Sequence, residues 1–401
     1  MKLKSGCIYW PQIYKGPEAH FPKLDADVEC DVAIIGGGIT GALVGYHLAR
    51  EGIDTVMVDR HEAGHGSTSA STGLLQYEID TPLIELIEKI GKVRAIAAYR
   101  ASVESVRAFE PLVDELGDSR GLVARPSLYL ASEEKDVEQL HSECEARQSM
   151  GIDVRFIQKE ALKDEFNIDR PAALWSPLAF EVDPFELTLQ LIRRAAQKGL
   201  RVFNHTEATD LSPCGERMSV RTGSGVTLTA KKVIFATGYE ATPLIPRGLC
   251  RLLSTYAFAS EAISDFSTWP QRCLIWEAAR PYVYMRTTVD GRAIVGGADE
   301  EIVDPGQRDA LLEKKTQYLQ KRFSDLFPQI PIGASCAWAG TFSQTKDGLP
   351  YIGALPQFPN SFFALGYGGN GITFSLLAAQ VIRDHILGRD NPYTGLFSFS
   401  R

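Results

Sequence analysis

A chain of 401 residues, 44% apolar and 23% charged, has an ordinary globular balance, which excludes collagen-like, coiled-coil and disordered architectures. It exceeds the roughly 250–300 residues at which one core stops growing, so two domains are expected. Fifty acidic residues against 42 basic ones leave a formal charge of -8, the reverse of the excess that phosphate neutralisation needs, and no nucleic-acid partner is expected. The seven cysteines form no CxxC pair and are odd in number, so free thiols in a reducing cytoplasm are expected rather than a disulfide scaffold or a zinc site. No apolar run of signal-peptide or membrane-span length follows the basic start, which again points to a cytoplasmic chain without a membrane span.

Residues 1–28 are rich in proline and aromatics without periodicity and read as an arm that packs on the surface of the body. The apolar run 32–35 reads as a strand buried on both faces. Gly36, Gly38 and Gly41 follow it and open a helix over 42–51, ended by Gly52. A second apolar strand over 55–58 is closed by Asp59, which completes a strand–helix–strand unit of a parallel sheet. The physics of this pattern is specific. Gly36 permits a tight turn, Gly38 lets backbone amides approach a pyrophosphate, and Gly41 lets helix and strand pack closely, with the helix N-terminus facing the anion. An acid at Asp59 accepts from both ribose hydroxyls and repels a 2′-phosphate, so NADP is disfavoured.

Residues 60–73 are rich in Gly, Ser and Thr and too polar for a core element. Helices follow over 83–110, 134–150 and 184–198, with strands over 127–131 and 201–204. Alternating segments over 219–229 lead into the apolar run 232–236 and then Thr237-Gly238. The stretch 250–298 is strand-rich, 312–323 helical, 361–365 a strand and 372–387 a helix. The glycine spacing recurs at Gly366, Gly368 and Gly371, too close to the end for a second dinucleotide fold. It marks either an ordinary tight turn or a helix start whose amides face a delocalised anion. There is no GxxxxGK[ST], HExxH or GxSxG, so the sequence supports neither that P-loop nor a zincin nor a serine hydrolase of that type, and no metal is expected.

Four segments together resemble the FAD-dependent D-amino-acid oxidase superfamily, which includes glycine oxidase, sarcosine oxidase and gamma-glutamylputrescine oxidase. They are DVAIIGGGITG at 31–41 with Asp59, GSTSASTGLL at 66–75, VIFATG at 233–238, and 340–353 with its DGLPYIG followed by GYGGNGIT at 366–373. The resemblance spans about residues 28–390 in order. It implies an α/β fold: a Rossmann-like FAD-binding domain with a discontinuous α+β substrate domain built on an antiparallel sheet. The implied division is an arm over 1–27, an FAD-binding domain from 28–90, 181–242 and 335–390, a substrate domain from 91–180 and 243–334, and a tail over 391–401.

The resemblance also implies FAD bound in an extended form. Gly36, Gly38, Ile39, Thr40 and Gly41 hold the pyrophosphate, Asp59 the adenosine ribose, and Arg60 lies beside the adenosine. The loop with Gly66, Ser67, Thr68, Ser71, Gly73 and Leu74 lines the ribityl chain and ring system. Thr237 and Gly238 lie on the adenosine side. Gly340 and the run Gly369, Asn370, Gly371, Ile372 and Thr373 meet the N1/O2 edge of the flavin.

Departures from the family pattern matter as much. The arginine that clamps a substrate carboxylate in glycine oxidase-like members is replaced by Phe342, and the lysine of sarcosine oxidase-like members by Thr373. Arg286 is the candidate replacement cation. The cysteine that attaches FAD in sarcosine oxidases falls near Gly340, with Cys336 four residues away, so non-covalent FAD is expected. The lysine that promotes oxygen reaction falls near Ile294, so oxygen or another electron acceptor remains open. The implied activity is oxidation of a C–N bond in a small amine or amino-acid-like substrate, with hydride transfer to flavin N5 and hydrolysis of the imine. Tyr77, Tyr256, Tyr282, Tyr284, Phe342, Tyr367 and Asn370 are candidates for the substrate wall. His65 is a candidate flavin contact and His47 a packed helix residue. No catalytic residue is singled out. The alternatives are a flavin subunit of an electron-relaying dehydrogenase complex and an NAD-dependent dehydrogenase.

Overall fold

In the computed structural model, which describes residues 2–17, 19–117, 121–365 and 368–401, the first apolar run becomes the centre of a sheet. Val28–Ile35 pairs in parallel with Thr55–Val58 on one side and Thr227–Phe235 on the other. Arg201–Phe203 and Ser361–Leu365 extend the parallel set at its two ends. Tyr351–Ala354 closes one edge antiparallel, and the hairpin of Ala208–Cys214 and Arg217–Thr222 hangs from Thr227–Phe235. Val32, Ala33 and Ile34 are at most 1% exposed. A strand covered on both faces needs no polar alternation, which is why this one reads as a continuous apolar run.

Helices Ile39–Arg50, Pro184–Gln197 and Gly371–Ile386 stack together and share one core on this sheet. Asp183 caps the second of them by accepting from the amides of Phe185 and Glu186, both at 2.9 Å, and Pro184 fills its first turn.

The second sheet runs, in spatial order, Lys4–Gly6, Ala334–Thr345, Cys250–Ser260, Ala293–Glu300, Val283–Thr287, Leu274–Glu277, Leu122–Leu130, Ala172–Val182 and Leu74–Gln76, with Arg155–Gln158 also on Ala172–Val182. All of its pairs are antiparallel except Leu274–Glu277 with Leu122–Leu130. Helix Leu312–Leu326 covers one face, burying Leu319 and Phe323 in the core around Trp269. The segments 28–90 and 335–390 each contribute a strand to this sheet, Leu74–Gln76 and Ala334–Thr345.

Three sequence expectations change. The helix expected over 83–110 is three helices, Leu83–Ile90, Lys92–Arg107 and Phe109–Leu116, because Gly91 takes a φ of +84° and turns the chain between the first two. The arm is not merely laid on the surface. Lys4–Gly6 adds a strand to Ala334–Thr345, and Tyr9 and Trp10 are buried. Cys7 and Cys336, expected as free thiols, form a disulfide. Spacing cannot reveal a pair 329 residues apart; the edge-strand pairing is what brings the two together. No helix among the described residues is long and apolar enough to cross a membrane.

The disulfide sets a thiol count. Protein denatured without reductant should titrate five thiols, those of Cys30, Cys144, Cys214, Cys250 and Cys273. Reduction before denaturation should expose all seven. Seven thiols without reductant would contradict the bonded arm.

Candidate active site

A cleft of about 660 Å³ lies between the two sheets and is lined by both. One end is built from the C-terminal ends of the parallel strands, where open α/β sheets bind ligands. Gly36 has a φ of +110°, and a Cβ there would lie 2.5 Å from the carbonyl oxygen of Ala236. Gly36, Gly38, Ile39 and Thr40 line the cleft, which opens the start of helix Ile39–Arg50 towards any anion bound there. The Asp59 carboxylate is fixed by accepting from the Gly37 and His61 amides, each at 2.7 Å. Arg60 pairs with Glu240 beside it. Thr237 and Gly238 line the same end, and the buried Thr237 Oγ1 has no partner within the protein.

The middle of the cleft is walled by the polar loop 60–73, held by side chains from elsewhere. Thr68 Oγ1 accepts from the Ile39 amide at 2.9 Å. The Trp10 indole donates to the Ser71 carbonyl at 2.6 Å and the Trp338 indole to the Ala70 carbonyl at 2.8 Å. Arg286 Nη1 donates to the carbonyls of Gly73 at 2.8 Å and Val182 at 3.0 Å. Three donors from the arm and the second sheet thus fix a loop whose own composition gives it no core.

At the far end the chain alternates. Leu74, Gln76, Glu78 and Asp80 line the cleft, while Leu75, Tyr77 and Ile79 are fully buried in the core behind. That is the two-residue period of extended backbone. Glu78 Oε1 accepts from the Ser127 hydroxyl, and its Oε2 is buried without a partner. Asp80 Oδ2 accepts from the Gly369 amide at 2.8 Å. Burial pushes both carboxyls above their ordinary range. Behind Thr255, Asp299 is pushed up to about 6, mainly by burial. Trp276, Tyr239, Tyr282, Tyr284 and Phe342 complete this end. Burial raises the Tyr239, Tyr282 and Tyr284 phenols, the last to about 12, so they stay neutral.

Of the residues singled out in the sequence, Gly36, Gly38, Ile39, Thr40, Asp59, Arg60, Gly66, Ser67, Thr68, Ser71, Leu74, Thr237, Gly238, Gly340, Gly369, Asn370, Gly371 and Ile372 line the cleft, as do His65, Tyr282, Tyr284 and Phe342. Gly41, Gly73 and Thr373 stand one layer behind. A Cβ on Gly41 would lie 1.9 Å from the Gly36 carbonyl oxygen, and Thr373 Oγ1 donates to the Gln76 carbonyl at 2.9 Å. Gly366 and Tyr367 lie outside the described residues.

Three substrate candidates stand elsewhere. Tyr77 faces the core under Arg147, on the wrong side of the alternation. Tyr256 is buried beneath the second sheet with its hydroxyl towards the Arg308 carbonyl. Arg286 is 2% exposed, engages the Gly73 and Val182 carbonyls and stacks on Trp10, so it positions the loop and lines no part of the cleft. His47 is packed in its helix, its imidazole held down at about 4 chiefly by burial. Sequence reasoning missed Glu78, Asp80, Trp276 and Tyr239. The signal for the first two was present, in the polar–apolar alternation of 74–80 after the glycine-rich loop.

Residues 31–385 match the family described as FAD dependent oxidoreductase. The glycine oxidase of Geobacillus kaustophilus (strain HTA426) is 27% identical over 376 residues, covering 90% of this chain and 94% of that one. A putative Rieske 2Fe-2S iron-sulfur protein of Bacillus subtilis (strain 168), YhfW, is 27% identical over 407 residues, covering 98% of this chain and 75% of that one. The crystal structure of glycine oxidase from Geobacillus kaustophilus superposes with a TM-score of 0.76 at 23% identity, covering 93% of this chain and 99% of that chain.

Asp299 gives the far end a pH signature. Its folded value of about 6 lies above its ordinary 3.8. Its stabilising contribution is therefore complete below about pH 4 and lost as the pH rises through about 6, a change of about 2–3 kcal/mol. In urea unfolding, Asp299→Asn should gain that amount relative to the unmodified chain between about pH 4 and pH 7. Parallel changes in the two proteins would contradict the burial of Asp299 as a charged group.

Proposed function

The chain belongs to the FAD-dependent oxidoreductase family, and from that premise we propose that it oxidises a carbon–nitrogen bond of a small amine or amino-acid-like substrate, with FAD bound non-covalently along the cleft. The observation that carries this reading is one continuous cleft that is lined by the glycine turn at Gly36, the clamped loop and a group of aromatic side chains. The family sets aside the NAD-dependent alternative.

The residues present fit the cofactor. The Gly36–Gly38 backbone has room for a pyrophosphate only because neither residue has a side chain; a Cβ on Gly38 would meet Thr68 Oγ1 at 2.9 Å. The amides at the start of helix Ile39–Arg50 supply donors and a positive dipole end. Asp59, already oriented by two backbone amides, takes the ribose hydroxyls. The partnerless Thr237 Oγ1 suits a polar group of the adenosine half. At the other end Gly340, Asn370, Gly371 and Ile372 border the ring, with the start of helix Gly371–Ile386 directed at it. Asn370 is anchored by donating to the Glu78 carbonyl at 2.7 Å. None of the five free cysteines lines the cleft and Cys336 is engaged with Cys7, which supports non-covalent attachment.

Bound there, the flavin supplies a two-electron acceptor for the hydride leaving the carbon beside the substrate nitrogen. The protein's share is positional. Trp276, Tyr282, Tyr284 and Phe342 line the far end and would exclude water from the substrate carbon. The raised Glu78 and Asp80 carboxyls are placed to take a proton from the substrate ammonium, because only a neutral amine can push hydride out. The imine leaves the cleft and hydrolyses in water.

A second reading keeps this half-reaction and changes the acceptor. The YhfW relative has a quarter of its length beyond the match and is named for a Rieske iron-sulfur centre. Of the lysines, only Lys2 and Lys4 line the cleft among the described residues, and both come from the arm. This favours transfer of electrons to a one-electron protein centre over reaction with oxygen.

The purified protein should be yellow, and acid precipitation should leave a colourless pellet with free FAD in the supernatant. Under anaerobic stopped-flow mixing, some members of a panel of amines, N-methyl amino acids and D-amino acids should bleach the flavin. A panel that left the flavin fully oxidised would contradict C–N oxidation, and a yellow pellet would contradict non-covalent binding.

A further inference from the structure

The far end of the cleft has a charge character that the family resemblance does not supply. Glu78 and Asp80 line it and Asp299 stands behind Thr255. Glu143 lies on the core side of Glu78. The cations beside these four carboxylates, Arg147, Arg280 and Lys315, do not line the cleft. Arg147 is fully buried; its Nε donates to Glu143 at 2.7 Å, its Nη1 and Nη2 have no hydrogen-bond partner, and its charge offsets part of that of Glu78 from the core side. Arg280 donates to the Asp80 carbonyl at 3.1 Å and lies over the Tyr282 ring at 4.7 Å without lining the cleft. Lys315 donates to the Ala298 carbonyl at 2.8 Å and to Glu300 at 2.5 Å. Of the lysines that enter the cleft from the arm, Lys2 pairs with Asp309 and Lys4 donates to Ser69. Two further polar atoms at this end have no partner within the protein. They are Glu78 Oε2, on a side chain 3% exposed, and Trp276 Nε1, on one 5% exposed.

We propose that this end of the cleft binds its substrate as an aliphatic amine without a carboxylate, with Asp80 and Glu78 as the counter-charges and Trp276, Tyr239, Tyr282 and Tyr284 as the wall that receives the cation. The proposal rests on the amine-oxidising reading and narrows it. A desolvated carboxylate needs a desolvated cation, and among the described residues the arginine and lysines that line the cleft are already engaged, Arg60 with Glu240, Lys2 with Asp309 and Lys4 with Ser69. Phe342 lines the cleft with an uncharged ring, and Arg286 is engaged behind the loop. An ammonium or alkylammonium group, in contrast, meets ring faces and an acceptor, Glu78 Oε2, that has no partner within the protein. Trp276 is itself braced by stacking on Tyr129, ring centroids 3.7 Å apart, so the wall is formed before the ligand arrives.

The holoenzyme tests this with two probes that cannot be oxidised, read by perturbation of the flavin visible spectrum. Tetramethylammonium should perturb the spectrum saturably and acetate should not. Asp80→Asn, which keeps an acceptor for the Gly369 amide, should weaken tetramethylammonium about 10- to 100-fold, and Asp80→Glu should restore it. Glu78→Gln, which keeps the Ser127 bond, should act likewise and stands in where the Asp80 variant fails to fold. Anaerobic bleaching by butylamine and by glycine separates this inference from the reading beneath it. Bleaching by butylamine at lower concentration than glycine supports both. Bleaching by amino acids alone, with acetate perturbing the spectrum and tetramethylammonium silent, overturns the inference and leaves amine oxidation standing. Bleaching by neither these two nor any member of the wider panel overturns the oxidation reading, and the response to tetramethylammonium still decides whether the end recognises cations.

Discussion

A Cβ atom on Gly41 would lie 1.9 Å from the Gly36 carbonyl oxygen, and one on Gly36 would lie 2.5 Å from that of Ala236. These are separations that bonded chemistry alone permits, so three pieces of backbone meet here only because two side chains are missing. The strand Val28–Ile35, the helix Ile39–Arg50 and the end of Thr227–Phe235 converge on that point. The close approach turns the helix N-terminus and the glycine amides onto open space instead of onto a side chain. Were the helix to start one residue-width further away, the amides would diverge and the Asp59 carboxylate, held by the Gly37 amide, would lose its register with them. The rest of the cleft extends from this fixed end.

The second sheet performs a different task. It holds the loop 60–73 by three donors, from Trp10, Trp338 and Arg286, and it presents aromatic rings opposite the acids of 78–80. The arm takes part directly, because Trp10 both donates to Ser71 and receives the Arg286 guanidinium on its ring. The disulfide between Cys7 and Cys336 ties that arm to the strand beside Gly340. The burial that shapes the far end also raises the carboxyls of Glu78, Asp80 and Asp299, and their clustering is an electrostatic cost that a cationic ligand relieves. Ligand preference and local instability thus have one physical origin.

Much of this was legible in the residues. The parallel strands are unbroken apolar runs, and the expected spans 55–58 and 361–365 coincide with Thr55–Val58 and Ser361–Leu365. The glycine turn declared both its geometry and its ligand class. What was hidden depended on non-local contacts. Ala172–Val182 carries Pro177 and shows no clean alternation, because it is covered on much of both faces; it pairs with Leu122–Leu130 across a register shift at Pro126. The strand signal in Leu122–Leu130 begins only at Ser127, past that proline, which has no amide to give the ladder. Tyr77 and Tyr256 could not be told from wall residues by type, since an aromatic ring serves a core or a pocket equally well. Arg286 stood out as a candidate substrate cation, but its partners are carbonyls from chain segments more than a hundred residues away.

The central claim is that one cleft holds a whole FAD, with the Gly36–Asp59 end recognising the adenosine half that FMN lacks. Titration of flavin-stripped apoprotein with FAD and with FMN, followed by quenching of flavin fluorescence, tests it directly. Loss of the ribose and pyrophosphate hydrogen bonds should leave FMN at least about 100-fold weaker than FAD. Equal affinities would contradict the claim, because the glycine turn and Asp59 would then contribute nothing to holding the cofactor.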